Sequence, residues 1–149
     1  MAQTYFGSTV RMGSETLTDA VDGGFAVLTQ TTTVTTVSAG TAVSSTLTIP
    51  AYSQIIDIII DTIQDETVGG GTATAINVTV GTAAAGTQYS SAIDVIGGGR
   101  FRPTFTTAQL AAMDDVGTNQ NVVVTVDPNG TISTTQGIYR LTLVYAQKV

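Results

Sequence analysis

Of the 149 residues in the chain, 29 are Thr, 17 Val and 12 Ile, so 58 carry a branched Cβ. Such side chains are stiff at χ1, crowd a helix turn and pack well on a pleated surface. Sixteen glycines and only three prolines divide the chain into short segments without a proline-rich linker. These features together predict an all-β protein. A chain of this length is one domain by size.

The alternation of apolar and polar residues locates the strands. Phe25 to Ser38 reads FAVLTQTTTVTTVS, an extended threonine-heavy segment with Thr31, Thr33 and Thr35 in one row. Val43–Ile49 sets Val43, Ser45, Leu47 and Ile49 against Ser44, Thr46 and Thr48, and Pro50 ends it. Gln54–Gln64 is the strongest strand, with Ile56, Ile58 and Ile60 expected on the core face. Ile55, Asp57, Ile59, Asp61 and Ile63 are expected opposite. Ile76, Val78 and Val80 mark the next strand, followed by a short one over Ala92–Ile96 and an extended segment over Arg100–Phe105. TTAQLAAMDD is the one convincing helix: Thr106 and Gln109 have capping-box spacing, and Leu110 and Met113 give an apolar stripe. Gln120–Val126 and Ile138–Ala146 complete the set, the latter with Tyr139, Leu141, Leu143 and Tyr145 on one face.

Eight or so short strands with one small helix predict an antiparallel, jelly-roll-like β-sandwich over residues 25–149. Residues 1–24 hold no sustained period and are broken by Gly7, Gly13, Gly23 and Gly24. They read as an extended N-terminal arm whose Tyr5, Phe6, Val10 and Leu17 are apolar anchors, either for a neighbour or for the chain's own domain. The opening MAQTYFGSTV lacks a secretory pattern, and Asp57 and Asp61 interrupt the longest apolar run, so no membrane partner is expected.

Several chemistries are missing their residues. With no cysteine and no histidine there is no thiol or imidazole nucleophile, base or ligand. Asp57 and Asp61 are about 13 Å apart along a strand, wider than the ~5–9.5 Å of a glycosidase pair. Asp65 and Glu66 would contribute to a calcium site only if another loop converged on them. A net charge of −6 argues against a nucleic-acid partner. The expectation is no enzyme, no cofactor and no metal. Arg100 and Arg102 share a strand face after the Gly97–Gly99 turn, and their plainest role is pairing with acidic residues, within the domain or across a subunit boundary. Phe101, Phe105, Tyr139 and Tyr145 would be the stacking platform if the domain were a carbohydrate-binding module.

Four stretches in order, SSTLTIPAYSQIIDIIID, INVTVGTAAAGTQYSSAIDV, RPTFTTAQLAAM and GIYRLTLVYAQ, carry a family resemblance. From about Val43 to Gln147 the chain resembles the small β-sandwich decoration, or cement, proteins of tailed-bacteriophage heads. The resemblance implies a virion structural protein, made in the host cytoplasm and bound to the capsid exterior. Its implied partners are the major capsid protein lattice and two further copies of itself in a homotrimer. The candidate subunit or capsid contacts are Tyr5, Phe6, Val10, Arg11, Leu17, Arg100 and Arg102; the arm residues among them lie outside the stretch that carries the resemblance and rest on their own side chains. A tail, baseplate or fibre component is the alternative on the same fold.

Overall fold

The computed structural model describes residues 25–66, 70–114, 117–132 and 135–148. Among the described residues there are eight strands, β1 (Phe25–Thr35), β2 (Val43–Ile49), β3 (Ser53–Gln64), β4 (Ile76–Gly81), β5 (Ser90–Asp94), β6 (Arg100–Phe101), β7 (Gln120–Pro128) and β8 (Ile138–Lys148). One helix, α1 (Thr107–Met113), lies between β6 and β7. Two four-stranded sheets result, ordered β1-β8-β3-β6 and β2-β7-β4-β5, with every pairing antiparallel. The all-β sandwich expected from the sequence is the fold. The pairing is nested: β1 with β8, β2 with β7, β3 with β6, β4 with β5.

Alternating side chains from both sheets fill the space between the layers. The β2–β7 register puts Leu47 opposite Val122 and Val43 opposite Val126, while Ile76, Val78 and Val80 point the same way from β4. From the other sheet come Ile58 and Ile60 of β3 with Tyr139, Leu141, Leu143 and Tyr145 of β8. The four β8 residues are therefore core, and the apolar face they form is not available to a partner.

Two expectations need correcting. Ile56 does not join Ile58 and Ile60: it is 49% exposed, whereas Ile55 is 4% exposed and inside the core. The cause is a bulge. Ile55 opposes Tyr145 and Asp57 opposes Val144, so two steps on β3 match one on β8 and the alternation changes phase. In the helix, Leu110 is 54% exposed, and the buried residues are Met113 and Gln109. The capping box at Thr106 is present in both directions. The Gln109 side-chain amide is then consumed inward, donating to the Thr87 carbonyl and to Ser91 Oγ, each at 3.1 Å. This ties α1 to β5 and the loop before it, while α1 also touches β3 in the other sheet. The helix thus closes one side of the sandwich.

Candidate interaction surface

The two outer faces of the sandwich differ. On the β2-β7-β4-β5 sheet, Val123 and Thr125 point outward by register yet are only 8% and 2% exposed. The β4–β5 loop lies over Thr125: the Ala85 N–H donates to Thr125 Oγ1 at 2.8 Å, and Ser44 Oγ meets the same hydroxyl at 2.8 Å. Gly81 allows the loop to fold back, because a Cβ there would lie 2.5 Å from the Gly86 carbonyl carbon. The sheet that ends in β1 and β6 has no such lid among the described residues.

Its outer face is ordered in rows that cross the strands. One row runs Thr33, Arg140, Asp61, Arg100 over β1, β8, β3 and β6. The next is Thr31, Thr142, Ile59, and the third is Thr29, Val144, Asp57. Asp61 is bridged on both sides, by Arg100 Nε at 2.5 Å and Arg140 Nη2 at 2.8 Å. The hydrogen bond from Arg100, then that from Arg140, holds the Asp61 carboxyl below its ordinary range despite partial burial. Arg102 Nη1 stands 3.4 Å from Asp57 Oδ2. Three arginines against two aspartates leave this face slightly positive on a chain of net charge −6.

The sequence reading placed Arg100 and Arg102 on one face and assigned them acidic partners, and each has one within the domain. It missed Arg140, whose signal was present: Arg140 alternates with Tyr139 and Leu141 and so must point away from the core. Asp57 and Asp61, considered as acids, are occupied by arginines. The aromatic platform does not form, since Tyr139 and Tyr145 are buried and Phe101 and Phe105 pack against the core. A carbohydrate-binding module loses the residues it rested on. Tyr5, Phe6, Val10, Arg11 and Leu17 lie outside the described residues.

At one end of the core, Glu66 is buried and accepts a hydrogen bond from the Tyr139 hydroxyl through Oε2. Its Oε1 has no partner among the described residues. Burial raises the Glu66 carboxyl above its ordinary range. Gly137 makes room for the pair, since a Cβ there would sit 2.6 Å from Glu66 Oε2. Among the described residues no group of three or more His, Cys, Asp or Glu side chains is placed to hold a metal ion. No described helix is long and apolar enough to cross a membrane.

What this defines is a β-sandwich with one lidded outer face and one open, threonine-rich face. No family model and no curated protein matches the chain. Among solved structures it is similar to a chain from the "Cyanophage Pam1 capsid asymmetric unit", with a TM-score of 0.54 and 18% identity. The match covers 96% of this chain and 97% of that one. At that identity the likeness is one of fold.

Proposed function

We propose that the protein is a non-enzymatic structural component of a tailed-phage virion, a decoration protein on the outside of the head that stabilises adjacent capsomers. The observation that carries the reading is the end-to-end match of its fold to a chain from a phage capsid. The nested antiparallel strand order, on which we rest the jelly-roll reading, supports it too. So does an open face offering shape and hydrogen-bonding groups with its charges already paired: cementing needs area repeated over a lattice, where modest contacts accumulate. The working unit is a homotrimer, with partner contacts from Tyr5, Phe6, Val10, Arg11 and Leu17 in the first 24 residues and from Arg100 and Arg102 on the open face.

Electron microscopy of purified particles carrying a label on this chain tests the location. Label over the head lattice is expected; label confined to the tail, or none on particles, refutes the reading. Deleting residues 1–20 is expected to leave the β-domain folded, by thermal unfolding, while weakening its retention on particles stripped of the native protein. Full retention would refute a contact role for those residues.

A further inference from the structure

We infer that copies of this chain join along the β1/β2 side of the sandwich, the free edge of β1 in one copy pairing with the free edge of β2 in the next. The inference rests on the self-association proposed above and names the surface responsible.

Each sheet has two edges, and the two sides of the sandwich treat them oppositely. On one side are β5 and β6. β6 is two residues long and carries Arg100, and β5 is broken in register against β4 and carries Asp94. Helix α1 spans the two sheets on that side. Short length, charge, irregularity and a cover are the devices by which natural proteins keep strand edges from recruiting other chains.

On the other side are β1 and β2, which use none of them. β1 is 11 residues in unbroken register with β8, and its sequence FAVLTQTTTVT contains no charge, proline or glycine. β2, VSSTLTI, is equally plain over 7 residues. Among the described residues nothing pairs with the outer edge of either strand. Each therefore presents a row of backbone donors and acceptors that another strand would satisfy. Val27 and Leu28 of β1 add apolar surface, at 64% and 40% exposed.

The two bare edges open on the same side of the molecule, because β1 and β2 face each other across the layers, with Thr32 Oγ1 and Ser45 Oγ 2.6 Å apart. The occupant this favours is a second copy. Neither strand carries a charge that would repel the other, and their threonines and aliphatics are suited to cross-strand pairing. With both edges on one side, a two-fold pair would give both to a single neighbour, whereas a ring gives them to two; the homotrimer proposed above takes the ring. In that ring each copy gives β1 to one neighbour and β2 to the other. The open outer face of one copy then runs into the lidded outer face of the next.

The chain has no cysteine, which makes the test direct. Thr31 and Thr46 are exposed on opposite outer faces of one sandwich, so thiols at these positions cannot be bridged within a copy by a short reagent. The full-length double variant T31C/T46C, treated with a short bismaleimide at micromolar concentration, is expected to yield covalent trimers at least tenfold above either single variant. The pair A92C/T104C, on the β5/β6 side, is expected to give none. Sedimentation of the unmodified protein is run alongside. Covalent dimers without trimers would mark the two-fold pair instead and overturn the ring. An oligomer that fails to cross-link through T31C/T46C overturns the assigned side while leaving self-association standing. A strict monomer overturns both.

Discussion

Replacing Ile55 and Ile56 by Ala, one at a time, separates the bulged β3 from a regularly alternating one. In the bulged strand Ile55 is in the core opposite Tyr145, and Ile56 is half in solvent. Ile to Ala removes three carbons, worth about 2.4 kcal/mol of transfer free energy at ~0.8 kcal/mol per buried methylene. A void that fails to collapse adds up to ~2 kcal/mol. Ile55→Ala is therefore expected to cost about 2–4 kcal/mol, and Ile56→Ala ~1 kcal/mol or less. Ile58→Ala, buried in either phase, serves as the reference and should match Ile55→Ala. Denaturant unfolding at one fixed protein concentration reads the three midpoints, with unchanged slopes required for the comparison. In a strand without the bulge the order of Ile55 and Ile56 reverses. If Ile56→Ala proves the costlier change, the bulged register is wrong.

Asp61→Asn removes a carboxylate whose folded pKa is held below its ordinary 3.8 by Arg100 and Arg140. The stability that group supplies is present above its unfolded pKa and lost as pH falls through the folded value, so acid unfolding of the variant should begin from a lower plateau and lose one contribution to its slope. Glu66 works in the other direction: burial raises its folded pKa above 4.5, so its contribution weakens as pH rises through that raised value. Glu66→Gln keeps an acceptor for the Tyr139 hydroxyl and should raise the unfolding midpoint near neutral pH, with little change below the unfolded pKa; a lower midpoint at neutral pH would refute this. Gln109→Ala breaks the capping box and both bonds to Thr87 and Ser91, and should cost about 1–3 kcal/mol in denaturant unfolding.

Strands with one wet face were legible in the sequence because their period is unambiguous. Val43 to Ile49 sits as its alternation requires, and Gln120 to Val126 puts Val122, Val124 and Val126 in the core as expected, although Val123 and Thr125 on its outer face are buried too. β3 was not, and for a physical reason: with isoleucine at 55, 56, 58, 59 and 60, both faces are apolar, and nothing in the pattern marks a one-residue change of phase. The helix misled by composition. Leucine outranks glutamine for burial in general, but Gln109 finds two acceptors inside and Leu110 faces outward. The lid over Thr125 was invisible because it depends on a loop of alanines, threonines and glycines whose backbone makes the contact. Arg100 and Arg102 were legible as ion-pairing residues; that Arg140 completes the row with Asp61 required knowing that β8 lies beside β3.

The nesting of the strands also sets an order of events for a chain that leaves the ribosome from its N-terminal end. β4 and β5 are close in sequence and can pair early, since the loop closed is short. Each further pair in the nest spans a longer stretch, and β1, made first among the described strands, must wait for β8, made last. Throughout synthesis the uncharged β1 segment stands without its partner, and a slow, non-local closure is where aggregation competes with folding. The yield of soluble protein should therefore depend more on how long β1 is left waiting than on the stability of the finished sandwich.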